Sequence, residues 1–183
     1  MNICVYCGSK AGDDPAFAQT AKRLGTWIAG AGHALVYGGG GVGLMDAVAS
    51  AALVGGAHVI GVIPQFLVDA EELKDGLPEV HVTQTMAERK ALMVELSDAF
   101  VALPGGPGTI EELSEVLSLL KLGKIDAPLV LLDVDGYYDA LARAYDVQVE
   151  HGFSTPAERA HLQTARSVEE LEALLGDWQK SRA

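Results

Sequence analysis

Along the chain, short apolar runs alternate with longer stretches in which apolar positions recur every three or four residues. The runs fall at residues 3–6, 34–37, 58–63, 99–103 and 129–132. Each suits a strand, and near-continuous apolar strands are what a sheet buried on both faces requires. The first intervening stretch places Phe17, Ala21, Leu24, Trp27 and Ile28 at helical spacing, and Gly30 and Gly32 punctuate its end. Strand and helix in alternation predict an α/β fold, a doubly wound parallel sheet with helices on both faces, formed by residues 1–183 as a single domain. Ligands of such sheets bind where strands end and helices begin. The turns of interest are therefore Gly8-Ser9, residues 38–43, the segment after Ile63, and residues 104–109.

The stretch between residues 64 and 85 exceeds an ordinary connection and carries Asp69, Glu71, Glu72, Lys74 and Asp75, the makings of a flap over the site or of a surface excursion. A helix over residues 110–122 is apolar at Ile110, Leu113, Val116, Leu117, Leu119 and Leu120, wider than one core-facing stripe. That width predicts a homodimer built partly on this helix, with the partner contributing to the pocket. Ser167-Val-Glu-Glu170 has the form of a capping box opening a terminal helix, whose Leu171, Leu174 and Leu175 cover the core.

Composition narrows the function. Of 183 residues, 49% are hydrophobic and 21% charged, ordinary usage for a folded chain. Against 13 Lys+Arg stand 25 Asp+Glu, a formal charge of −12. The basic footprint of a nucleic-acid binder is absent, so an anionic ligand needs a local pocket. Residues 34–64 hold one charged residue, Asp46, but glycines interrupt them, and no membrane association is expected. With two cysteines and no basic leader before Cys4, the expected location is cytoplasmic. Cys4 and Cys7 have the spacing of a metal pair, yet three apart in a strand they should face opposite sides. His33, His58, His81, His151 and His161 lack ligand spacing. Neither a metal nor a cofactor is expected.

Two glycine-rich turns carry the candidate chemistry. Gly38-Gly-Gly-Gly-Val-Gly43 satisfies G-x-G-x-x-G between a strand and an apolar helix, but no acidic residue to hold a ribose follows at Ile63-Pro64-Gln65, which disfavours a dinucleotide. Its glycines read as backbone in close approach to a phosphate or sugar, or else as a packing device. Pro104-Gly-Gly-Pro-Gly-Thr-Ile-Glu-Glu112 follows a strand and leads into a helix, where free N–H groups and the helix dipole favour an anion. Without the lysine of a Walker loop, it suits a monophosphate that is bound and not transferred.

Thr109-x-x-Glu112 also reads as a capping box, which alone would explain both residues. Against that, Glu112 heads the row Glu112, Val116, Leu119, away from the wetter stripe of Glu111, Glu115 and Ser118. Thr85-x-x-Glu88 is another capping box. After it, Arg89 shares a face with Leu92, Met93 and Leu96, an inward cation whose partner is a phosphate or Glu112, or else an arginine that snorkels or makes a structural ion pair.

Together, Cys7-Gly8-Ser9, Tyr37-Gly-Gly-Gly40, Gly43-Leu-Met45, Met86-x-x-Arg89-Lys90 and Pro104-Gly-Gly-x-Gly-Thr-x-x-Glu112 resemble the LONELY GUY family, the cytokinin riboside 5′-monophosphate phosphoribohydrolases. The likeness is strong over the first two-thirds of the chain and loose beyond. It implies a Rossmann-like homodimer that cleaves the N-glycosidic bond of a nucleoside 5′-monophosphate, AMP or a cytokinin riboside monophosphate, to free base and ribose 5-phosphate. It implies Arg89 and Glu112 as the catalytic pair. The substrate contacts it implies are Ser9, Gly39, Gly40, Glu71, Arg89, Lys90, Gly105, Gly106, Gly108, Thr109 and Ser118, with Glu72 replacing Glu71 if the alignment shifts by one. This chain departs from the family at Lys10 (usually small), Asp46 (usually Gly), Pro107 (commonly Tyr) and Ser118 (frequently Thr).

On this resemblance Glu112 is expected to stabilise an oxocarbenium-like ribosyl and to activate water, with Arg89 and Lys90 offsetting the phosphate charge. The rival expectation is a non-hydrolytic nucleotide or molybdenum-cofactor carrier of the same fold, in which Glu112 only caps a helix. A decarboxylase, the family's older label, is rejected: no lysine context for pyridoxal phosphate is recognisable and no cofactor domain fits this length.

Overall fold

The structure, a computed structural model, describes residues 1–70 and 73–182. Seven strands, β1 (Asn2–Tyr6), β2 (Ala34–Tyr37), β3 (Val59–Pro64), β4 (Glu79–Thr83), β5 (Ala99–Ala102), β6 (Leu129–Leu132) and β7 (Leu162–Ala165), form one parallel sheet. The helices are α1 (Pro15–Gly30), α2 (Gly43–Val54), α3 (Gln65–Ala70), α4 (Met86–Glu95), α5 (Pro107–Lys121), α6 (Asp139–Glu150), α7 (Pro156–Arg159) and α8 (Val168–Lys180). This is the doubly wound, Rossmann-like α/β architecture. The strand order β4-β3-β2-β1-β5-β6-β7 shows the chain winding outward from β1 and then returning to its other side at β5. The turns after β1 and β5 diverge there and leave a crevice at the carboxyl ends of the strands.

Strand alternation sorts the core into two layers. Ile3, Val5, Leu35, Tyr37 and Val101 pack with Leu24 and Ile28 of α1, Val48 of α2 and Leu171 and Leu175 of α8. Cys4, Tyr6, Val36, Val62 and Phe100 pack on the other face with Met93 of α4 and Leu113, Val116 and Leu120 of α5. Each such aliphatic side chain contributes about 1.5–3 kcal/mol when fully buried. Cys4 and Cys7 lie in opposite layers as free buried thiols. Burial pushes the Cys4 thiol up to about 12 and raises that of Cys7 as well, so both are inert packing groups.

Several elements differ from the sequence expectation. β4 and β7 are edge strands that the apolar-run reading did not register. Much of the stretch read as a flap is therefore α3 and β4, and a Gly40–Leu73 antiparallel bridge ties residue 73 to the second glycine turn. The helix expected from residue 110 begins at Pro107, with Gly106 as its N-cap, so Thr109 is already inside it and the Thr109–Glu112 capping box is not formed. Ser167 caps α8 by accepting from Glu170 N–H at 3.2 Å, but the Glu170 carboxylate accepts from Arg166 N–H at 2.7 Å, so the box is only half closed. Among the described residues, no helix is long and apolar enough to cross a membrane.

Candidate active site

Backbone hydrogen bonds make one unit of the turns after β1, β2 and β5. Gly8 N–H donates to Pro104 O at 3.0 Å, and Leu44 N–H donates to Gly8 O at 3.1 Å. Between the first and third turns lies a cleft of about 340 Å³, lined by Ser9, Lys10, Leu44, Gly105, Gly106 and Tyr137 among others. Among the described residues, Lys10 is the one charged residue in its lining. The N-terminus of α5 opens here, and among the described residues its N-cap, Gly106, makes no side-chain cap hydrogen bond.

The turn after β6 closes the cleft. Buried Asp133 accepts from Gly136 N–H at 3.1 Å and Tyr138 N–H at 2.8 Å, which bends the chain so that Tyr137 O–H donates to Gly105 O at 2.6 Å. Phe17 meets the Tyr137 ring edge-on at 5.6 Å. Sequence reading missed Tyr137; its signal was an Asp-x-Asp-Gly-Tyr turn at the carboxyl end of a strand, the position that defines the other site turns.

Arg89 and Glu112 come together beside this cluster from α4 and α5. The complete Thr85–Glu88 capping box starts α4, with bonds of 3.1 and 3.3 Å, and sets Arg89 on the buried face. Arg89 Nε donates to Val62 O at 3.0 Å and Nη2 to Gly38 O at 3.4 Å, so the guanidinium lies across the ends of β3 and β2. Its Nη1 stands 3.5 Å from Glu112 Oε1, and each residue is 8% exposed. Burial pushes the Glu112 carboxyl up to about 7 and Arg89 offsets part of that rise; Glu111 and Glu115 raise it further while Lys90 lowers it. A carboxyl group that titrates near neutrality, held by an anchored cation, fits general acid–base work.

The remaining expected residues divide. Ser9, Gly105 and Gly106 line the cleft, Gly108 is exposed in the first turn of α5, and Thr109 is buried behind it. Gly39 and Gly40 lie beneath residues 73 and 74, with Gly39 O accepting from Lys74 N–H. Lys90 joins α4 to α5 by ion pairs with Glu111 at 2.7 Å and Glu115 at 2.8 Å, so its charge is already matched. Ser118 sits apart: it donates to Ser114 O and lines a separate pocket with Tyr145 and Lys121, roughly 14 Å along α5 from Thr109. Glu71, with its alternative Glu72, lies outside the described residues. His58 and His81 both pair with Glu79, and no group of three or more potential metal ligands occurs among the described residues.

Comparison with known proteins bears on this geometry. Residues 45–175 match the family described as "Possible lysine decarboxylase". Cytokinin riboside 5′-monophosphate phosphoribohydrolase LOG1 of Arabidopsis thaliana is 46% identical over 176 residues, covering 96% of this chain and 83% of that protein. The chain belongs to the LONELY GUY family. A probable member from Oryza sativa subsp. japonica, LOGL1, is also 46% identical, over 92% of this chain and 76% of its own length. Among solved structures, the molybdenum cofactor carrier protein MCP of Chlamydomonas reinhardtii superposes with a TM-score of 0.74 at 24% identity, covering 98% of each chain. That likeness shows a fold shared with the LONELY GUY family and nothing more.

Proposed function

We propose that this protein hydrolyses the N-glycosidic bond of a purine or cytokinin nucleoside 5′-monophosphate, releasing free base and ribose 5-phosphate. The observation that carries this reading is the Glu112 carboxyl, buried, raised to about 7 and held 3.5 Å from Arg89, one turn into the helix whose open N-terminus faces the cleft. The LONELY GUY relatives are named phosphoribohydrolases, which agrees with it.

The phosphate docks on the amides of Gly106, Gly108 and Thr109, with exposed Lys10 as its counter-charge. The C1′–N bond breaks with its electron pair leaving on the base, which takes a proton from solvent, and the ribosyl carbon gains cationic character. Ionised Glu112 stabilises that charge, orients a water molecule and takes its proton as the oxygen bonds to C1′. Arg89 holds the carboxylate in place. Base release should therefore rise with pH through about 7, as Glu112 ionises.

We infer that the active form is a homodimer. Leu113, Val116 and Leu120 of α5 enter the core, whereas Ile110, Leu117 and Leu119 stay half-buried and Leu122 is 66% exposed. A second copy covering that flank would give Ser118 a route to the partner's nucleotide, a route its distance from the cleft denies it within one chain.

Incubation with AMP and isopentenyladenosine monophosphate, followed by separation of products, tests the reading. Free base and ribose 5-phosphate in equal amounts are expected. Nucleotide bound but unchanged would instead support the carrier alternative.

A further inference from the structure

One ion cluster, with Lys74 mostly covered and Asp46 41% exposed, takes no part in the chemistry described above. Lys74, 14% exposed at its side chain, donates from Nζ to Asp46 Oδ1 at 2.6 Å and to Ser50 Oγ at 2.8 Å. Ser50 in turn donates to Asp46 Oδ1 at 3.1 Å. The backbone of Lys74 is engaged as well: its N–H donates to Gly39 O at 3.1 Å, beside the Gly40–Leu73 bridge. A single residue thus grips α2 with its side chain and the second glycine turn with its backbone.

That turn needs fastening. Four consecutive glycines, with Gly39 at φ +80°, lose more conformational freedom on ordering than any other four residues would. Its position also matters beyond itself, because Gly38 O accepts from Arg89 Nη2 at 3.4 Å and Arg89 faces Glu112. From Lys74 through Gly39, Gly38 and Arg89 to Glu112, the connection is unbroken covalent bond, hydrogen bond or ion pair.

We propose that Asp46, Ser50 and Lys74 form a strap that sets the turn after β2 at the height where the Gly38 carbonyl aligns Arg89 against Glu112, so that Asp46 and Lys74 are positioning residues for glycosidic cleavage. The proposal rests on the phosphoribohydrolase reading. Around the strap, Lys22 of α1 adds positive charge at Asp46, and the buried Tyr37 hydroxyl has no hydrogen-bond partner among the described residues. The Lys74 hydrogen bond holds the Asp46 carboxyl below its ordinary range, and burial holds the Tyr37 phenol above its own. Asp46 therefore stays ionised while Glu112 titrates, and a change in the pH–rate profile reports on Arg89 and Glu112.

The test compares wild type with K74M, D46N, K74R and the double variant D46N/K74M, using AMP as substrate across the pH range, with backbone amide exchange measured on the same samples. K74M and D46N should each lose roughly ten- to a hundredfold in kcat, with a smaller change in KM, and move the acid limb upward as Arg89 loosens from Glu112. K74R should restore most of the loss, and the double variant should lose no more than either single one. Exchange at the amides of residues 39–43 and of Lys74 should quicken in K74M. Unchanged kcat and an unmoved acid limb in K74M overturn the proposal, whatever happens to thermal stability. If wild type itself releases no base, the phosphoribohydrolase reading fails separately, and the strap is then decided by exchange alone: unchanged protection of residues 39–43 in K74M rejects it.

Discussion

In the turn that follows β2, the room left by missing side chains is taken by the protein itself, whereas in the turn that follows β5 much of it is left open. A Cβ on Gly38 would lie 2.2 Å from Arg89 Nη2, and one on Gly43, whose φ is +61°, would lie 2.4 Å from the Ser9 backbone. Around Gly106 and Gly108 nothing stands within 4 Å of where a Cβ would be. The two turns read alike as glycine-rich strand-to-helix connections. They differ in what faces the glycines: chain in the first, and in the second, beyond Gly105 with its Cβ position 2.2 Å from Thr109 Oγ1, open space at the N-terminus of a helix. Close packing and open backbone are thus separate uses of one residue type, and here they lie side by side.

The largest expected effect concerns the carboxyl group that both turns serve. E112Q should lower base release from AMP by about a thousandfold or more while AMP binding, followed by calorimetry, stays within a few-fold of wild type. Next in size is Gly43→Ala, which puts a side chain into the Ser9 backbone at positive φ. It should cost about 3 kcal/mol or more of stability in urea unfolding, and a near-neutral result would break the distinction drawn between the turns.

E112Q also has a pH-dependent effect on folding. Because burial raises Glu112 from 4.5 to about 7, the stability associated with its protonated form is present in full below 4.5 and is lost as pH rises through about 7. Relative to wild type, E112Q should thus gain up to about 3 kcal/mol at pH near 8 and nothing near pH 4, a difference that paired thermal melts would resolve. Gly108→Ala is the counterpart of Gly43→Ala: in open space within the first turn of α5 it should leave stability unchanged or raise it by up to about 1 kcal/mol, while raising the KM for AMP several-fold. Smallest is Lys10→Ala, expected to raise KM by about two- to fivefold at low salt and less at high salt, with kcat unchanged.

The same contrast governs what could be read from sequence. The five inner strands are continuous apolar runs because both their faces are buried, and all five are found within a residue of their expected bounds. β4 and β7 border the sheet; with Val82 48% exposed, and Gln163 and Thr164 facing solvent, they carry no such run and escaped notice. The start of α5 was misplaced because Thr109-x-x-Glu112 imitates a capping box, although Pro107 held the opposing signal for a first helical position. Displacing the box strengthens the case for Glu112, since capping no longer accounts for its burial. Arg89 and Glu112 were legible from helix-face arithmetic. The engagement of Lys90 by Glu111 and Glu115, and of Lys74 by Asp46, was not, because each joins elements whose docking only the fold decides.

A crystal structure of E112Q with AMP bound tests the central claim most directly. The phosphate is expected on the amides of Gly106, Gly108 and Thr109, with C1′ about 4 Å from the side-chain amide of residue 112 and no protein side chain between them. A phosphate held elsewhere, or a ribose whose C1′ is walled off from residue 112, would contradict it.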